Sequence, residues 1–203
     1  MSQLELVERI MKCDVIVAGG GHAGLEAALA AARVGADTIL LTQRVETIGT
    51  LSCNPAFGGP AKGGLVREVD ALGGFCGHMA DEAALQCRTL GESKGPAARS
   101  TRMLVDREIY RRGAGAKALS QDRLRVVEGE AVEILTNRGR AAGLKSADGR
   151  VFSAGAVVLA GGTFWRATVH RGLQSSQAGR RGEDAADRIS LSLADLGHII
   201  GRL

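Results

Sequence analysis

An α/β fold built on a Rossmann-like parallel central sheet, with a β-meander added to it, is what this 203-residue sequence predicts. Three observations predict it. "CDVIVA" (13–18), a glycine cluster, an alanine-rich run and "DTILLT" (37–42) follow one another within the roughly thirty residues of a βαβ unit. From residue 124 the pattern changes to short alternating runs separated by turn residues. These end in "AVVLAGGT", an apolar run that passes straight into two glycines. Hydrophobic residues make up 45% and charged residues 24% of the chain, which suits one domain with a real core.

The opening "MSQLELVERIMK" is weakly tied to the rest of the chain, so residues 1–12 read as an N-terminal extension and Met11 as a second candidate start. The folded domain is expected over 13–203. The first strand, 13–18, is short and β-branched, as in strands buried on both faces. Gly19, Gly21 and Gly24 then form G-x-G-x-x-G with a strand before and a helix after. The first glycine allows the tight turn, the second lets backbone approach a pyrophosphate, and the third lets the helix pack close to the strand. The helix N-terminus offers unpaired N–H groups and a favourable dipole to the phosphates. "AGLEAALAAARVG" reads as that helix, with Gly35 at its C-terminal turn. A ribose-binding acid is expected at the end of the second strand, but that place holds Thr42-Gln43-Arg44, with Glu46 too far on. Thr42 or Gln43 offers only a weaker bond to a ribose hydroxyl.

Further along, "PAKGGLVREVDALGG" places Leu65, Val66, Val69 and Leu72 at helical spacing and closes at Gly73. A helix is expected over "DEAALQCRTL". Another, over "STRMLVDREIYRRGAGAKAL", has Met103, Ile109 and Tyr110 on one face and Asp106 as its cap. The meander is expected from about 124 to 153, packed to one side, with a turn at Asp148-Gly149. The order of these elements resembles the two-dinucleotide-binding flavoprotein fold, in which a late strand-Gly-Gly segment comes back beside the first strand, so the last strand, 156–160, is expected beside 13–18.

Aromatic residues are 3% of the chain and glycines number 29, which favours backbone-lined ligand sites over an aromatic platform for bases. A net charge of +4, with 21 Arg against five Lys, is weak evidence for a polyanionic partner, because Arg enrichment also follows base composition. Cys13, Cys53, Cys76 and Cys87 show no metal-binding spacing. No signal peptide or membrane-length apolar run is visible, so a reducing, cytoplasmic setting is expected.

Four stretches occur in order: "GGGHAGLEAALAAARVGADTILLT", "LSCNPAFGGPAKGGLVREVDALGG", "SKGPAARSTRMLVDREIY" and "GTFWRATVHRG" followed by "AGRRGED". Together they resemble the N-terminal part of the MnmG/GidA family of tRNA uridine 5-carboxymethylaminomethyl modification enzymes. "CNPAFGG" and "SKGPA" carry most of that specificity. The resemblance implies a fold of the two-dinucleotide-binding flavoprotein type and FAD as cofactor. It also implies one-carbon transfer from methylenetetrahydrofolate to C5 of the wobble uridine in tRNA, NADH as hydride donor, and the GTPase MnmE as partner. In this family the weakly acidic end of the second strand is usual.

By resemblance, Gly19, Gly20, Gly21, His22, Ala23 and Gly24 match the FAD pyrophosphate segment, and Thr42 and Gly162 are counted with the cofactor residues. His22 reads either as part of that loop or as a helix-start residue meeting solvent. Val132 in "GEAVEI" matches a backbone contact to the adenine side, or is a buried strand residue. Cys53 matches a cysteine assigned to chemistry at the uridine; its other reading is a small structural residue in an Asn-Pro loop. Cys13, Cys76 and Cys87 are expected as packing residues. Lys62, Lys94, Arg99 and Arg102 are candidate anion contacts or surface charges. Arg166, His170, Arg171, Arg180 and Arg181 form a basic cluster suited to tRNA phosphate or to a plain surface loop. The chain departs from the family pattern at Gly64, where His is common, and at Trp165, where Leu is usual. About two-thirds of a typical member is absent. The expectation is therefore part of an enzyme, assembled with a second chain or self-associated, or a short FAD-binding relative that does not turn over.

Overall fold

The computed structural model describes residues 10–177, 179 and 186–201. In chain order its elements are β1 (Ile10–Ala18), α1 (His22–Arg33), β2 (Thr38–Thr42), β3 (Ala56–Gly58), α2 (Lys62–Ala71), α3 (Cys76–Glu82), β4 (Ala84–Leu90), β5 (Ser100–Val105), α4 (Arg107–Ser120), β6 (Leu124–Glu128), β7 (Ala131–Asn137), β8 (Arg140–Ser146), β9 (Val151–Leu159), β10 (Thr168–Arg171), β11 (Gln174–Gln177) and α5 (Arg188–Asp195).

The main sheet runs β6-β2-β1-β9-β8-β7. β1 is central, parallel to β2 (Val15 opposite Thr38) and to β9 (Val15 opposite Ala156). The expected juxtaposition of "DVIVA" and "AVVLA" is thus observed. β1 starts at Ile10, three residues before the run read from the sequence, because Ile10–Lys12 pair with Val151–Ser153.

Period-two alternation divides the core between the two faces of the sheet. Val17 and Leu40 point to one face, where Leu25, Ala28, Leu29 and Ala32 of α1 and Tyr110, Ala114 and Ala118 of α4 cover them. Ile16, Ala18, Ile39 and Leu41 point to the other, where Leu144, Phe152 and Ile189 cover them. The meander therefore packs on one side, but it comprises β7, β8 and the first half of β9. β6 pairs in parallel with β2 instead (Thr42 opposite Glu128). α1 ends as its sequence predicts: Gly35 takes φ +99, and the Gly35 and Ala36 amides return to Ala32 and Ala31.

A second, antiparallel sheet runs β3-β5-β4. It corrects two expectations. "DEAALQCRTL" is helical only to Glu82, and Ala84–Leu90 forms the edge strand β4, with Cys87 opposite Met103. Met103 lies on β5 rather than on a helical face, and Ile109 is half exposed, while Tyr110 is fully buried. Short apolar runs do not declare their period, and here a distant strand partner decided it. Asp106 caps α4 as expected, its Oδ1 accepting from the Glu108 and Ile109 amides at 2.8 and 2.9 Å. On α2 the apolar stripe forms but faces outward: Leu65 is 61% and Leu72 82% exposed.

Candidate functional site

The turn from β1 into α1 is built by glycines with different tasks. Gly19 takes φ +114, and a Cβ there would lie 2.5 Å from the Ala160 carbonyl oxygen at the end of β9. At Gly24 a Cβ would land on the Gly19 carbonyl, so this glycine sets how closely α1 approaches the strand. At Gly20 it would meet Thr42 Oγ1 at 2.6 Å. Gly21 differs: a Cβ there would meet nothing within 4 Å. It caps α1 without a side-chain hydrogen bond, and the first turn carries no acidic residue. The amides at this helix start thus meet a cleft with no carboxylate of their own helix in front of them.

That cleft holds about 430 Å³. Gly19–Ala23 form its floor, and Thr42, Gln43 and Gly129–Ala131 form one wall. Ser52–Asn54 and Lys62 form another, and Gly161–Trp165 close the side beyond β9. Of the residues singled out from sequence, Gly19, Gly20, Gly21, His22, Ala23, Thr42, Cys53, Gly162 and Lys62 line it. Gly24 lies beneath the floor. Val132 is on β7, facing a separate depression beside α5, and Gly129, Glu130 and Ala131 stand where the sequence pointed to Val132. Lys94, Arg99, Arg102 and Arg166 do not line the cleft. His170 is exposed on the β10–β11 hairpin to which Arg171 also belongs. Arg180 and Arg181 lie outside the described residues. Sequence reasoning missed the cleft positions of Glu130 and Trp165, the latter noted only as a departure from the family pattern.

His22 heads α1 and is mostly enclosed, its ring 5.0 Å from Phe57 and 5.6 Å from Tyr110. Burial holds its pKa below the ordinary 6.5; nearby Glu26 opposes this shift and Lys62 adds to it. Its Nε2 is buried without a hydrogen-bond partner among the described residues. Deeper still, the Glu26 carboxylate accepts from the Phe75 and Cys76 amides at 2.9 and 2.6 Å, tying α1 to the start of α3. Burial pushes the Cys76 thiol up to about 12 and raises the Tyr110 hydroxyl as well. Cys76 is therefore an inert packing group, as expected, and burial likewise pushes the half-buried Cys13 thiol up to about 11. Cys87 is exposed on β4, which corrects its reading as a packing residue.

Cys53 is exposed at the edge of the cleft. Its loop is anchored on both sides: Gly49 N donates to Gly20 O at 3.0 Å, and Val105 N donates to Pro55 O at 2.8 Å. Arg107 reaches the Cys53 carbonyl at 3.5 Å. Among the described residues the site thus combines a helix start without a side-chain cap, a glycine facing open space, one cation and one accessible thiol. A pyrophosphate fits the floor, since the space in front of Gly21 is open for 4 Å.

The sequence model of the family described as Glucose inhibited division protein A matches residues 14–203. The chain belongs to this family. It is 50% identical over 192 residues to the tRNA uridine 5-carboxymethylaminomethyl modification enzyme MnmG of Myxococcus xanthus, covering 95% of this chain and 31% of the relative. It is 47% identical to the protein of that name from Campylobacter hominis, covering 95% of this chain and 30% of that one. Among solved structures, GidA of Aquifex aeolicus superposes with a TM-score of 0.87 at 38% identity, over 92% of this chain and 32% of that one. The GidA-related protein of Thermus thermophilus, at 22% identity and a TM-score of 0.63 over 91% of this chain and 68% of that one, shares the fold. The chain spans about a third of the length of the curated GidA relatives. Among the described residues, no helix is long and apolar enough to cross a membrane.

Proposed function

We propose that this chain is the FAD-binding part of a cytoplasmic enzyme that modifies C5 of the tRNA wobble uridine. The observation that carries the reading is the joint one: half-identity to a tRNA uridine 5-carboxymethylaminomethyl modification enzyme over nearly the whole chain, on a fold whose glycine floor leaves room for a pyrophosphate. Gly19–Ala23 and the first amides of α1 would hold the phosphates, and Thr42 and Gly129–Ala131 the adenosine half. The backbone at Gly162 and near Val132 belongs to the same expected contact set. Bound FAD would supply redox and one-carbon transfer chemistry, with methylenetetrahydrofolate as carbon source and NADH as reductant. The chain's own residues bind and orient. Lys62 brings a positive charge into the cleft. His22, held neutral, adds none. Cys53 presents a thiol at the cleft edge, where the pyrimidine would be met.

Activity of the whole enzyme, with tRNA and the GTPase MnmE as partners, is proposed for this part acting together with the remaining two-thirds of the relatives' length. The experiment is wobble-uridine modification with NADH, methylenetetrahydrofolate and MnmE, read by nucleoside mass spectrometry, run on residues 1–203 alone and with the remaining part added. Modified uridine is expected only with it, and Cys53→Ser then lowers the yield at least about tenfold. Absence of modified uridine with the remaining part added, flavin still being bound, would overturn the enzymatic reading.

A further inference from the structure

We propose that Glu130 binds the adenosine ribose of the dinucleotide, its carboxylate accepting from the 2′- and 3′-hydroxyls. The assignment rests on the cleft being a dinucleotide site. In Rossmann-like sites that task falls to an acid at the end of the second strand. Here β2 ends in Thr42-Gln43-Arg44, and Thr42 is 6% exposed with its hydroxyl against Gly20 and 3.5 Å from the Arg44 carbonyl. The fold supplies the acid from the neighbouring strand. β6 runs parallel to β2 with Glu128 opposite Thr42, and Gly129 N donates to Thr42 O at 2.7 Å. The chain thus leaves the sheet beside the vacant position, and Glu130 is the one acidic residue among the described residues lining the cleft.

Two features suit it to the task. Its backbone is held on both sides, by Arg150 donating to Glu128 O at 2.5 Å and by Ala147 N donating to Glu130 O at 2.9 Å. Among the described residues its carboxylate has one charged neighbour, Arg188 at the start of α5, whose Nη2 stands 3.8 Å from Oε2, beyond hydrogen-bond distance. Both oxygens therefore keep lone pairs for a vicinal diol, and O–H donors to a carboxylate make strong, short bonds. A 2′-phosphate at the same place would meet a like charge, so the site selects against 2′-phosphorylated dinucleotides.

The test is calorimetric titration of the full chain with ADP and with 2′-deoxy-ADP, for the wild type, Glu130→Ala and Glu130→Gln. The wild type is expected to bind ADP about tenfold or more tightly than the deoxy analogue. In Glu130→Ala the preference is expected to fall below about twofold, with Glu130→Gln in between. Because the readout is a ratio between two ligands on one protein, general loss of affinity in a variant does not mimic it, and circular dichroism checks that each variant is folded. An ADP preference unchanged in Glu130→Ala, or absent from the wild type while ADP still binds, would overturn the assignment and leave the dinucleotide cleft standing. Binding of neither nucleotide to the wild type would overturn the cleft reading and this assignment together.

Discussion

Single residues at the β1–α1 turn separate binding from folding. Gly21 has φ −74 and open space in front of it, so Gly21→Val can fold while its side chain occupies the phosphate position. Gly24 has the Gly19 carbonyl in front of it, so Gly24→Ala forces backbone apart, at a cost of about 2 kcal/mol or more. The expected result is a normal melting temperature with loss of flavin for Gly21→Val, and a lowered melting temperature for Gly24→Ala. Flavin retention at wild-type level in Gly21→Val would reject the placement. His22 gives the turn a pH signature. Its folded pKa lies below 6.5 because burial disfavours the imidazolium. The unfolded chain therefore takes up a proton at about pH 6.5 while the folded chain does not. Stability present above 6.5 is lost as pH falls from there toward the folded pKa. Denaturant midpoints at about pH 7.5 and about pH 5.5 should differ for the wild type and less so for His22→Phe, whose ring keeps the contacts with Phe57 and Tyr110.

At the scale of elements, one side-chain cap fixes where α4 begins, beneath the cleft. Asp106 starts α4 by accepting from two amides, and α4 buries Tyr110, Ala114 and Ala118 beneath the site. Asp106→Ala should cost about 1 kcal/mol, whereas Asp106→Asn should cost a few tenths, because an amide oxygen still caps. Urea denaturation with an unchanged m-value is the check. This cap was legible in the sequence because its donors lie two and three residues away. The capping of α3 by Glu26 was not, since the two lie some fifty residues apart. Neither was β4: a stretch exposed along nearly its whole length carries no periodic core signal, and only its pairing with β5 makes it a strand.

For the whole molecule, the consequential feature is apolar surface left outside the two cores. Leu65 and Leu72 on α2 and Leu191 on α5 are more than half exposed, and Ile199 is almost fully so. Exposed leucines and isoleucines of this kind favour association where they form a patch. Sedimentation velocity should show self-association rising with concentration, and Leu65→Lys combined with Leu72→Lys should shift the chain toward monomer. A strictly monomeric wild type at high concentration would contradict this.

What the amino-acid sequence determined by itself is the β1–α1–β2 unit, the close packing at Gly19 and Gly24, and the Asp106 cap. Each is signalled within a short window: a run of β-branched residues, a helical repeat, a glycine where no side chain fits. Tertiary structure alone decided that β6 leaves the meander for β2, that α2 turns its leucines outward, and that Lys62 and Glu130 enter one cleft with Cys53. These outcomes depend on partners far apart in the chain, such as Thr42 opposite Glu128 and Cys87 opposite Met103. A local pattern fixes which way a backbone can run; only burial against a distant neighbour decides which side of it is covered.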